Sequence, residues 1–456
     1  MYKKILIASL ALIAGLASCK KDDPTPSPNP PSTLTIDGVA SSLEFYQLDT
    51  AHLSVAGVAK DAAAKAVWVV NGAKAAEGAT FDFTTAHPGK YEVTLTVDGK
   101  SAKHTYTVAP RFSEGAFLLN EGNFGNETGS LTYIHPSKKL VIDQAYYRVN
   151  GTKLGNVCQD LAFGNDQIYI LSQLGPKNGG EGLLTIARSN SLEKVKVYND
   201  EALAQSTPTH IAVLRDHIYI RTERDGILRG SSEGGFTPIT GTKKALKQRM
   251  AQIGERLFAL TKDNKVLMIQ GTQVVRELDL SPAKPSGIAV SHDGKLWVST
   301  TSPNAILKVD PTPDNFVALD THILDKSISA TGPESWQRTT SSAFFAHGDK
   351  LYFTGQSSVI YCHDFATSKT SQVIDVKTID GVGTSANMYY NSLGVDPSTG
   401  ELYYAAFEGY STYNKKNVTM VLKADGTKLL LKEKVNSFPA GFYFIPNAAS
   451  RTGANQ

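Results

Sequence analysis

The chain has 456 residues, 41% of them hydrophobic and 20% charged, with a formal net charge of +3 and three cysteines. That length leaves room for two or three domains with cores of their own. The near-balance of charge supplies no basic stripe for nucleic acid, and three cysteines are too few for a disulfide-built scaffold.

In chain order, Lys3 and Lys4 precede an apolar run from Ile5 to Leu16, closed by Ala17, Ser18 and Cys19. This is the layout of a secretion signal with a small-residue cleavage site, and about a dozen apolar residues fall short of the roughly 20 that a spanning helix needs. Leu16-Ala17-Ser18-Cys19 resembles the bacterial lipobox, which implies a signal peptide over 1–18 and a lipidated Cys19 as the first mature residue. Lys20-Lys21-Asp22-Asp23 resembles the export tag of Bacteroidetes lipoproteins displayed on the outer face of the outer membrane; a periplasm-facing lipoprotein is the alternative. Without 1–18 the chain keeps 44 basic and 43 acidic residues, a net charge of +1. Contact with the membrane is then expected through the lipid anchor alone.

Residues 19–32 hold five prolines among serine and charge, an extended tether after the lipidated Cys19. A small all-β module is expected over 33–110. Its signals are the strand around Val67 to Lys74 with Trp68 as core anchor, the turn His87-Pro88-Gly89-Lys90, and the alternating runs from Tyr91 and His104. A tryptophan strand followed by Pro88 to Val97 resembles the immunoglobulin-like PKD domains of bacterial surface proteins, which implies a β-sandwich serving as a spacer.

From Asp160 to Ala406 one strand-turn-strand unit occurs six times, beginning at Asp160, His210, Arg249, Gly287, Ser342 and Ser392. A seventh second strand, from Ala116, has no first strand before it, and Gly441 to Asn447 reads as a first strand with none behind it. Second strands at 116, 167, 217, 256, 295, 350 and 401 recur every 39–55 residues, the spacing of four-stranded propeller blades. The reading is all-β: the sandwich followed by a seven-bladed β-propeller over 112–447, closed by the C-terminal strand, with a disordered tail over 448–456. Lys243 to Met250 is expected to be a short helical connector. Cys158 and Cys362 fall in blades two and six, too far apart for the Cα separation of about 4.4–6.8 Å that a bridge requires.

The turns between first and second strands are minimal, such as Gly164-Asn165-Asp166 and His292-Asp293-Gly294, so the functional face is expected at the other end of each blade. There the loops after the second strands are long and polar: 121–127, 173–182, 221–230 and 407–417. Candidate ligand-binding residues on that face are Asn123 and Phe124, Gln159 and Asp160, His210, Arg221, and Arg249. Trp336, Arg338, Tyr389, Tyr390 and Tyr410 complete the set. Flat aromatic surface beside amide and guanidinium donors suits a polar ligand with an extended planar or sugar-like body; the bland alternative is that these aromatics wedge blades together. No nucleophile elbow, metalloprotease helix, Walker loop or paired-cysteine zinc spacing occurs, so no enzyme activity, cofactor or metal is expected.

Phe117-Leu118-Leu119-Asn120-Glu121-Gly122-Asn123-Phe124-Gly125, followed by Gly129-Ser130-Leu131-Thr132-Tyr133, resembles the opening blade of a family of Bacteroidetes surface lipoproteins with seven-bladed YVTN-type propellers. The resemblance covers 112–447 and implies a cell-surface protein that captures cobalamin or a related small ligand and passes it to a TonB-dependent outer-membrane transporter. An adhesion or scaffolding propeller that binds protein or glycan, and a propeller lyase or lactonase, are the competing readings.

Overall fold

Short apolar strands joined by tight turns satisfy their backbone groups with their chain neighbours, and antiparallel sheets of four result. The computed structural model describes residues 33–39, 44–328, 342–355, 357–388 and 393–446. The signal segment, Cys19, the tether, the tail, and the candidates Trp336, Arg338, Tyr389 and Tyr390 lie outside the described residues.

Seven four-stranded sheets follow one another, each running from an inner to an outer strand. The inner strands of blades 1 to 7 are Pro439–Phe444, Asn156–Gly164, Pro208–Leu214, Ala251–Ile253, Lys284–Val290, Phe344–His347 and Leu393–Val395. Blade 1 joins the two ends of the ring. Pro439–Phe444 pairs antiparallel with Ala116–Asn120, from Pro439 opposite Asn120 to Phe444 opposite Ala116, and Ser130–His135 and Leu140–Ile142 complete the sheet. Second strands begin at Ala116, Gln167, His217, Arg256, Leu296, Lys350 and Leu402, within one residue of each expected start.

Burial falls from the middle of each blade outward. Ala116–Asn120 and Leu402–Phe407 are buried throughout, as strands with both faces covered must be. The outer strand Ala318–Ile323 is almost wholly exposed. Cores form where blades face each other: Phe117, Leu119 and Tyr133 of blade 1 pack with Leu161, Ile168 and Ile170 of blade 2. Cys158 and Cys362 form no disulfide.

The N-terminal region forms two small sheets, one of Thr35–Asp37, Thr50–Ala56 and Thr80–Thr84, the other of Phe45–Tyr46, Lys100–Ala109, Gly89–Val97, Val67–Val70 and Ala73–Glu77. Trp68 is fully buried, and its indole N–H donates to the Gly78 carbonyl at 2.9 Å. The chain divides into two compact units, the smaller built on His52–Asp82 and Glu92–Thr105, the larger on the propeller together with Ser41–Ala51 and Phe83–Tyr91.

Two expectations about connections are corrected. Lys243 to Met250 forms turns and one isolated bridge, Ala245 to Thr261, and no helix. The stretch 221–230 is no long loop: His217–Thr222 and Gly226–Ser231 are paired strands around a three-residue turn. There the Thr222 hydroxyl accepts from the Asp225 amide at 3.1 Å and Gly226 takes φ +77°, a backbone region that favours glycine.

Candidate functional site

The loops 121–129, 408–416 and 435–438 belong to blades 7 and 1 and meet on one face. Asn123 builds the first of them: its side-chain oxygen accepts from the Gly125 amide at 2.9 Å and its carbonyl from the Glu127 amide at 3.0 Å. That turn leaves Phe124 at 63% exposure, with the Lys177 ammonium 4.0 Å from its ring centroid. On the blade 7 loop, Tyr410 is 40% exposed and stacks 5.5 Å from Phe438, which also meets Tyr413 at 4.5 Å and Phe407 at 5.2 Å. Phe438 holds φ +52°, a strained setting for an aromatic residue. Next to it the Ser437 hydroxyl donates to Glu127 at 2.7 Å. Burial, then the Glu121 carboxylate, pushes the Tyr410 hydroxyl above its ordinary pKa.

At the inner-strand ends the propeller channel is bridged by polar side chains from blades far apart in the chain. Asp160 of blade 2 is 2% exposed. Its carboxylate accepts from the Ile211 amide at 2.9 Å and from the Tyr443 hydroxyl at 2.6 Å, and pairs with Arg249 at 3.2 Å. Arg249 reaches from blade 4 to blade 1, where its guanidinium lies 4.2 Å from the Tyr443 ring centroid and donates to the Ala440 carbonyl at 3.3 Å. Gly441, at φ +144°, makes room for it, since a Cβ there would collide with that guanidinium. Beside it, Gln248 donates to the Ser286 carbonyl at 2.9 Å and to the Ser342 hydroxyl at 3.1 Å. Burial pushes the Asp160 carboxyl above the usual carboxylate range, while Arg249, Tyr443 and two backbone amides pull the other way. Below this crossbar lies a cavity of about 460 Å³.

Three further candidates sit in the interior. Arg221 is 1% exposed, its guanidinium bonded to the Ala245 carbonyl at 2.9 Å, to the Thr209 hydroxyl at 3.1 Å and paired with Glu223 at 3.0 Å. It ties blade 3 to the segment that leads into blade 4. His210 is fully buried, with Nδ1 3.1 Å from the Thr209 hydroxyl, and Gln159 donates to Glu121 at 3.0 Å. Thus Asp160 and Arg249 come together in the channel, Asn123, Phe124 and Tyr410 stand on the loops, Gln159 and Arg221 fasten blades, and His210 is buried within its own strand of blade 3. Sequence reasoning passed over Tyr443, Gly441, Phe438 and Tyr413. The one signal for the first two is a glycine inside an otherwise aromatic strand, which marks close approach of another group.

Residues 114–446 match the domain of unknown function DUF5074. A comparison with curated proteins finds no match. Among solved structures, a quinonprotein alcohol dehydrogenase-like protein from Bacteroides thetaiotaomicron is similar, with TM-score 0.58 and 15% identity over 90% of this chain and 98% of that one. A protein from Lactobacillus plantarum gives TM-score 0.48 and 14% identity, over 73% of this chain and 99% of that one. A functionally unknown protein from Desulfotomaculum acetoxidans gives 0.46 and 13% over the same shares. At such identities the first likeness shows the fold alone.

Proposed function

The chain belongs to the DUF5074 family, and from that premise we propose that it is a surface lipoprotein whose propeller captures a small ligand on its loop face. The observation that carries the reading is the exposed aromatic surface there: Phe124 with Lys177 above its ring, and Tyr410 stacked on Phe438. Rings held out to solvent by a rigid scaffold leave their faces available for stacking on a flat ligand. The leading ligand is a cobalamin-like nutrient, in keeping with the resemblance of 117–133 to the cobalamin-capturing lipoproteins. Cys19 would carry the lipid, the N-terminal sheets would act as a PKD-type spacer, and a TonB-dependent outer-membrane transporter would receive the cargo.

Titration calorimetry of the mature protein with cyanocobalamin, cobinamide, haem and a glycan panel tests this. Stoichiometric binding of a macrocycle supports it, whereas silence across the panel favours an adhesion or scaffolding role. A pull-down from native membranes that recovers no transporter would count against the hand-over step.

A further inference from the structure

The channel beneath the crossbar has a shape and chemistry of its own. Its lining runs from Gln248, Arg249, Ser342 and Ala440 at the loop end to Val290, Pro397 and Phe444 at the turn end. From Ala440 to Phe444 is four strand steps, about 13 Å at roughly 3.3 Å per residue. A volume of about 460 Å³ over that depth has room for a small ligand carrying an alkyl chain or a single ring.

Between its ends the tube is mainly apolar. Phe163, Met250, Ile288 and Phe345 line it, each only half-buried, with the exposed Gln252 as a polar exception. Water in such a space finds few polar partners, and removing that surface from water is favourable. At the loop end the crossbar demands no charged head group, because Asp160 and Arg249 neutralise each other and Tyr443 and Ile211 donate to the carboxylate. The turn end carries polar and charged residues such as Asn165, Arg215, Asp216 and His292 on the connections between first and second strands.

We infer that the channel is a second ligand site, which takes a slender amphiphile, a single alkyl chain or one ring, inserted apolar end first from the turn face with its polar end left in water. This site is independent of the loop-face reading and stands if that reading fails.

Titration calorimetry of the intact mature protein with hexanol, octanol and decanol tests it. The site predicts one molecule bound per chain and affinity rising about fourfold per methylene. Two channel-filling variants, Ala162→Phe and Ala343→Phe, each confirmed folded by its melting curve, should weaken decanol at least tenfold. Tyr410→Ala, on the loop face, should leave decanol binding unchanged. Absence of binding, affinity indifferent to chain length, or equal affinity in a folded channel-filling variant would each overturn the proposal. The chain-length series needs no variant, so the test survives if both substitutions prevent folding.

Discussion

Arg249 crosses the channel at a cost that its partners offset. The Asp160 carboxylate is withdrawn from water and the Arg249 side chain largely so, at 24% exposure, and removing one member of such a pair leaves the other uncompensated. Asp160→Asn should therefore destabilise the propeller by about 3–5 kcal/mol, read as a shift in the urea midpoint at unchanged slope. Asp160→Asn combined with Arg249→Met should be less damaging than Asp160→Asn alone. If the two changes simply add, the pair is not coupled and the crossbar is ornamental. Gly441 supplies a second check, since its Cβ would meet the Arg249 guanidinium. Gly441→Ala should cost more stability in the native background than in Arg249→Ala, where only the backbone strain remains. None of this could be read from order along the chain: Asp160 and Tyr443 stand 283 residues apart, and no local period signals a contact across a ring.

Among the elements, the closing strand matters most. Pro439–Phe444 is the inner strand of blade 1, and its partner Ala116–Asn120 is buried throughout. Deleting everything after Asn436 should expose that strand and the packed faces beside it, and the product should aggregate or lose its cooperative melt. A native-like melt would mean that the ring closes some other way. The strands were legible because apolar alternation and Gly, Asn or Asp turns are local signals. Connections were less so: Arg221–Gly230 is polar enough to pass for a loop, yet Thr222 and Gly226 fold it into a hairpin. The seam between blades 5 and 6 adds a pH effect. His322 Nδ1 lies 2.9 Å from His363 Nε2, His363 Nδ1 lies 2.9 Å from the Thr370 hydroxyl, and Asp320 and Asp364 stand nearby. Burial first, then the charge of His322, lowers the His363 pKa, with Asp364 opposing. The unfolded chain then binds protons more readily, so stability is whole above about pH 6.5 and is lost as pH falls below it. The melting temperature should drop between about pH 7.5 and pH 5.5, and His363→Gln should flatten that slope. A slope unchanged in that variant would assign the effect elsewhere, His135 being the next candidate, since burial and Lys138 lower its pKa too.

At the scale of the whole molecule, a ring of seven blades presents two unlike faces: short turns on one, the long loops 121–129 and 408–416 on the other. That asymmetry was legible from loop length alone, as was the display of Phe124 and Tyr410, because polar loops flanking apolar strands have nowhere to go but outward. Which polar residues turn inward was not legible, and Arg221 shows why: its partner Ala245, in the segment that leads into the next blade, is set by packing between blades rather than by pattern. The central claim is that the exposed rings grip a flat ligand. It is tested most directly by titrating cyanocobalamin into the mature protein and its Phe124→Ala, Tyr410→Ala double variant, with circular dichroism to confirm the fold. Two stacking contacts at about 0.5–1.5 kcal/mol each predict binding by the native protein and affinity about 5- to 150-fold weaker in the variant; no binding by the native protein, or equal affinity in a folded variant, would contradict the account.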